Sequence, residues 1–296
     1  MLGSSIKKDR VSKKWEGTQR IWYKFSKNPL SVIGLFVILI IFFVSIFAPF
    51  ISPHPESAAA YVNFRGANLP PSLNHLCGTD IFGRDILTRI FFGCRLSIMM
   101  ALIVISIASS LGVTLGLIAG YNKGKLLDTI IMRTTDIFIA VPAIILALAV
   151  CAVTAPGTIN AMIAISVSWW PWYAKLTYGV TSSVKGEFFV QAAEVTGASK
   201  THILVKEILL NCLGPILTKM SLDVGWVILI AANLSFVGLV AQPPTPDLGS
   251  MVALGSKYIP EQWWIAIFPA IGIILIVLGF NLFGDGLRDV LGSERR

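Results

Sequence analysis

Three histidines and four cysteines are the side chains of this chain with most scope for chemistry. His54, His75 and His202 fall in separate polar stretches. No apolar run carries a His/Glu pair one helical turn apart, the spacing that would hold a zinc ion, so no metal site is expected. Cys77, Cys94, Cys151 and Cys212 lack C-x-x-C spacing, which argues against a metal knuckle or a disulfide framework and leaves them as small packing residues. No G-x-S-x-G nucleophile turn occurs. No Walker loop occurs either: Gly124-Lys125 is followed by Leu126, which has no hydroxyl to hold magnesium. The expectation is a chain that performs no chemistry and binds no cofactor itself.

Acids within apolar runs are the next place to look, because a membrane tolerates few of them. Asp136 stands just inside one run, three residues after Arg133 and on the same helical face; Asp223 stands in the first turns of another. Both lie near the ends of their runs, so local pairing or end-capping is the expected role. An ion-coupled carrier would place such groups near the midplane.

The most distinctive stretch is polar and small: Gln191-Ala192-Ala193-Glu194-Val195-Thr196-Gly197-Ala198-Ser199-Lys200-Thr201-His202-Ile203. Glu187 to Thr196 reads as a short helix. Gly197 permits a turn that needs positive φ, and Ser199 caps a second helix running to about Leu210. Ala192, Ala193 and Ala198 keep the corner slim enough for another protein's groove to close around it.

The elements that must position this corner are membrane spans. The chain has 296 residues, 55% hydrophobic and only 14% charged, with mean hydropathy +0.75. Soluble domains carry about a quarter charged residues, so the class is a polytopic membrane protein. Ser31 to Ile51 carries no charge and spans ~30 Å as a helix, one bilayer core, with Asn28-Pro29 as its start signal. Further runs cover roughly Leu96–Ala119, Thr134–Val153, Ile159–Tyr178, Ile216–Val240 and Trp264–Phe283. The expected fold is all-α with six transmembrane helices over residues 29–290. Polar segments fall at 52–93, 179–215 and 241–263, with a short tail at 291–296. Residues 1–28 are basic with Trp15, Trp22 and Phe25 near one helical face, which predicts an amphipathic helix on the membrane surface.

Orientation follows from lysine and arginine placement. With both termini cytoplasmic, 19 of the 24 basic residues lie inside. The net charge of +8 is thereby explained by topology, with no nucleic acid implied. The exceptions, Arg65, Arg84, Arg89, Arg95 and Lys257, fall outside. In the outer segment Gly78, Thr79, Asp80, Gly83, Arg84 and Asp85 read as a tight, charge-paired turn that orients the second span or meets an external protein. Gln242, Pro243 and Pro244, also outside, are stiff enough to shape the mouth of a pathway.

At these residues the chain resembles a known family. Gln191-Ala-Ala-x-x-x-Gly197 is similar to the EAA motif of permease subunits from binding-protein-dependent ABC importers. Asn28-Pro29-Leu30, the His75–Asp85 segment, Gly238–Pro246 and Gly284–Asp289 resemble the second permease subunit of the dipeptide/oligopeptide/nickel branch. Gln191 stands where that family usually has Glu. The resemblance implies a type I ABC importer permease in a prokaryotic inner membrane. It implies a second homologous permease, two ATPase subunits that bind ATP and magnesium, and an external solute-binding protein. It also implies coupling to the ATPases through Gln191, Ala192, Ala193, Gly197, Ala198, Ser199 and Glu207. Peptides are the implied cargo, with nickel complexes or oligosaccharides as alternatives; an ion-coupled carrier or an intramembrane enzyme is less well supported.

Overall fold

The computed structural model describes residue 19 and residues 22–292. Trp15 and most of the expected surface helix lie outside them. Phe25, at the start of the described region, is buried, with its ring 5.8 Å from that of Phe283. Among the described residues there are helices and no strand, only an isolated bridge between Thr79 and Asp85.

Helix α1 (Pro29–Ile51) starts as expected: the Asn28 side chain accepts a hydrogen bond from the Leu30 amide at 3.1 Å, and Pro29 occupies the first turn. One face, including Gly34 and Ile38, is buried, while Phe36, Leu39 and Ile46 point outward as lipid-facing residues do. Helix α2 (Ile86–Tyr121, 36 residues) begins ten positions before the expected Leu96, because Asp85 caps it through the Thr88 amide at 2.8 Å. At 1.5 Å per residue α2 is ~54 Å long, well over a ~30 Å hydrocarbon core. That length lets Arg89 and Arg95 ride on a helix and still stand clear of lipid.

The third expected span is corrected to two helices, α3 (Leu126–Ala140) and α4 (Ala143–Val153), bent by 89°. Pro142 is the cause: its ring drives the preceding residue out of the helical region, and Val141 has φ −91° and ψ 127°. Helix α5 (Thr158–Val184) follows, then the short α6 (Phe188–Val195). The next helix does not stop near Leu210. Lys200–His202 runs through a π-helical turn, Ile203–Ile208, directly into α7 (Leu209–Phe236). At this turn the Leu209 amide reaches back to the Leu204 carbonyl, and the Asn211 side chain donates to the Glu207 carbonyl at 2.7 Å. The outer segment 241–263 contains α8 (Leu248–Gly255), capped by Asp247. Helix α9 (Trp264–Gly292) runs nine residues past the expected Phe283 and carries Gly284–Asp289 in its last turns.

Among the described residues, four helices are long and apolar enough to cross a bilayer, and the bent α3–α4 pair, taken as one span, makes five. The remaining expected span, α5, has 27 residues but too many polar ones to count by composition. It is held instead by its neighbour. Gly112, Gly116 and Gly120 form one stripe of α2, and a Cβ on them would sit 2.3 Å from the Trp170 carbonyl oxygen, 2.5 Å from that of Ala174, and 2.6 Å from Thr181 Cβ. Such small-x-x-x-small stripes let membrane helices pack backbone to backbone. A smaller apolar cluster, made of Leu117, Val190, Ile203, Ile208, Cys212 and Ile216, sits apart from the main core and gathers α6 against α2 and α7.

Candidate functional site

The Gln191 corner is built as a docked hairpin. Val190 is the one fully buried side chain of α6, inserted among Ile203, Ile208 and Leu117. The helix then ends in a Schellman arrangement: the Ala198 amide donates to the Ala193 carbonyl and the Gly197 amide to that of Glu194, each at 3.0 Å. Gly197 sits at φ +80°, with nothing within 4 Å of where a Cβ would project. Ser199 accepts from the His202 amide at 3.2 Å and starts the next helix, as expected. Two contacts tie the corner to the inner end of α2. The Tyr121 hydroxyl donates to Glu194 Oε1 at 3.0 Å, and Lys185 Nζ donates to the Tyr121 carbonyl at 2.7 Å.

Gln191 has a use that a glutamate lacks. Its Nε2 donates to the Gly186 carbonyl at 2.9 Å, tying the start of the corner together, whereas an ionised carboxylate can only accept. Ala192 is exposed and Ala193 and Ala198 are half-buried. Glu207 lies 3.7 Å from His202 Nε2, an ion pair whenever that ring is protonated. Besides the polar Gln191 and Glu194, the exposed surface of α6 carries an apolar stripe at helical spacing. Phe188 and Val195 are 85% and 88% exposed, with Ala192 between them.

At the opposite end of α2 the outer turn is a set of buried charges. Asp80 Oδ1 accepts from the amides of Phe82 and Arg84 at 2.9 and 3.0 Å, and Oδ2 receives Arg84 Nε at 2.7 Å. Arg89 Nε is 3.9 Å from the same oxygen, while its Nη1 donates to the carbonyls of Ser57 and Pro244 at 3.1 and 3.3 Å. Gly78 and Gly83 take φ of +76° and +74°, and Thr79 bonds the Gly66 carbonyl. The Pro244 contact brings the two expected outer segments together. They border one cleft of about 760 Å³, with Asp80, Arg84 and Arg89 on one side and Gln242, Pro243 and Pro244 on the other. Burial pushes the nearby Cys77 thiol up to about 11, so it is a packing group.

Comparison with known proteins decides the class. The family description "binding-protein-dependent transport system inner membrane component" matches residues 112–296. That of the N-terminal transmembrane domain of oligopeptide transport permease C matches residues 18–71. The chain belongs to this permease family. It is 39% identical over 281 residues to the probable D,D-dipeptide transport system permease protein DdpC of Escherichia coli K12, covering 95% of this chain and 93% of that one. It is 41% identical over 273 residues to the dipeptide transport system permease protein DppC of Alkalihalophilus pseudofirmus, covering 92% and 88%. In fold the permease is similar to a chain of the inward-facing MetNI methionine ABC transporter, with a TM-score of 0.58 at 16% identity over 71% of this chain and 98% of that one. It is thus an inner-membrane component of a binding-protein-dependent ABC importer.

Within the permease the two acids of the apolar runs are both paired, Asp223 locally as expected and Asp136 across to another helix. Asp136 meets Lys175 of α5 rather than Arg133, and both partners are about half exposed. We expect Asp136→Asn to cost under about 1 kcal/mol, read as a small change in thermal midpoint of the purified permease. Asp223, 3% exposed, accepts from Lys219 one turn earlier at 3.1 Å. The Lys219 ammonium also lies 5.4 Å from the Tyr173 ring centroid. Sequence reasoning missed Tyr121 and the Gly112-Gly116-Gly120 stripe; the four-residue spacing of those glycines within a span was the available signal. It also missed that His54 and His75 meet.

Proposed function

We propose that this permease forms half of the membrane pathway of an ATP-driven peptide importer. Its relatives named as dipeptide permeases support the cargo class. In this reading a second homologous permease completes the pathway, and two ATPase subunits bind ATP and magnesium beneath it. A solute-binding protein delivers cargo to the cleft between Arg84 and Gln242. The chain itself carries out no catalysis. Nickel complexes or oligosaccharides on the same machinery are the alternative cargo.

The uncovered stripe Phe188–Ala192–Val195 is the observation that carries the coupling role. Its helix is anchored behind by Val190 and at the side by Tyr121, so a groove that grips it moves α2 and α7 together. Packed interfaces resist compression, and the push is not dissipated.

Gly197 tests this directly. Positive φ costs a residue other than Gly roughly 1–2 kcal/mol, least for Asn and most for β-branched side chains. Because the space around Gly197 is open, Gly197→Val strains the turn without a clash inside the chain. We expect Gly197→Val to insert normally in the membrane but to lose about fivefold or more of ATP-dependent uptake in proteoliposomes, while Gly197→Asn stays near wild type. Equal uptake and equal ATPase stimulation in both variants would remove the coupling role. Uptake driven by a proton gradient alone would instead mark an ion-coupled carrier.

A further inference from the structure

Two histidines that the sequence keeps 21 positions apart meet on the outer face. Their ring centroids are 4.5 Å apart, His54 following α1 and His75 in the long outer segment. Asp85, the cap of α2, presents Oδ1 to His75 Nδ1 at 2.9 Å. Glu56 presents Oε1 to His54 Nδ1 at 3.3 Å. One donor atom from each of His54, His75 and Asp85 lies within 4.8 Å of the other two.

The proton positions make this more than a hydrogen-bonded cluster. His54 Nε2 lies 3.0 Å from the Asn74 carbonyl oxygen, which can only accept, so Nε2 carries the hydrogen. A neutral His54 then aims the lone pair of Nδ1 at the Glu56 carboxylate. Two acceptors in contact call for a positive charge between them, either a second proton or a metal ion. The Asn74 contact also satisfies the rule that a metal-bound imidazole donates its other N–H to a carbonyl or carboxylate. Two imidazoles and the Asp85 carboxylate, with Glu56 beside His54, form an N/O donor set that suits zinc-class divalent ions.

We propose that His54, His75 and Asp85, with Glu56 swinging in from beside His54 as fourth donor, bind a zinc-class divalent cation that clamps the segment after α1 and the outer segment onto the start of α2. Zinc bonds of about 2.0 Å bring donors to about 3.3 Å from one another, so binding draws the histidine segments inward by about 1 Å. The ion is structural in this role, because its ligands tie three separate segments together.

The test uses the full-length permease, purified with its accompanying subunits, stripped with chelator and dialysed against zinc alone. One equivalent of zinc per permease chain is expected, together with a zinc-dependent rise in melting temperature. His54→Gln and His75→Gln each should weaken zinc binding at least tenfold and abolish that rise, while His202→Gln leaves both unchanged. Variants that elute normally but keep wild-type zinc affinity would overturn the proposal, as would the absence of stoichiometric zinc in the wild type. Cobalt in place of zinc supplies a second readout: ligand-field absorption that disappears in the His54→Gln, His75→Gln double variant. Absorption persisting in that variant would also overturn it.

Discussion

Asp80→Ala is expected to collapse the outer turn and lower stability by about 3–5 kcal/mol, the range for removing one member of a buried ion pair. Asp80 is 3% exposed, accepts from Arg84 and two backbone amides, and lies 3.9 Å from the Arg89 guanidinium. Without it, two guanidiniums stay buried with no carboxylate: Arg89 keeps two carbonyls and Arg84 only the Phe82 ring, 4.5 Å away. The damage should spread, because Arg89 also holds Ser57 and Pro244. A large drop in the thermal midpoint of purified permease, with protease cleavage newly appearing within 52–93, is the expected result. Asp80→Asn should fall between the two, since an amide oxygen still accepts from the Phe82 and Arg84 amides. A midpoint within a degree or two of wild type for Asp80→Ala would show that this charge cluster contributes little.

Gly116→Val is expected to separate α2 from α5. The new Cβ would lie 2.5 Å from the Ala174 carbonyl oxygen and 2.8 Å from Thr177 Cβ, and the first is backbone that cannot rotate away. Overpacking of this kind costs about 1–3 kcal/mol, and more where the obstacle is main chain. The helices must part or slide, and α5 is the helix least able to hold its place in lipid by its own composition. We expect little monodisperse permease to be recovered from membranes. Gly179→Ala supplies the contrast: nothing lies within 4 Å of its would-be Cβ, so a slight gain from helix propensity is the expected outcome.

Much of the fold was legible because lipid imposes simple rules. Asn28-Pro29 marked a helix start, and an uncharged run marked α1. Boundaries failed where polar residues extend a helix beyond the hydrocarbon, as at Ile86 and Leu209, because hydropathy reports lipid contact and not hydrogen bonding. The third span failed at Pro142, whose effect on Val141 was written in the sequence but outweighed by the apolar pattern. The corner at Gly197 was legible because glycine and serine have narrow local uses. Its ties to Tyr121 were not, since 73 residues separate Tyr121 from Glu194. The same holds for His54 and His75, which face each other only because the outer segment folds back over the start of α2. The pairing of Asp136 with Lys175 likewise depends on how α3 and α5 pack.

Helix α2 starts at the Asp85 cap beside the outer charges and finishes at Tyr121, hydrogen-bonded to the inner corner; it contains no proline. In the coupling proposed above, one unbroken strut would therefore join the cleft that meets the binding protein to the corner that the ATPase grips. On that reading, tilting its outer tip when a loaded receptor lands would shift the inner foot at once, so the motor would sense cargo mechanically, with no messenger crossing the bilayer.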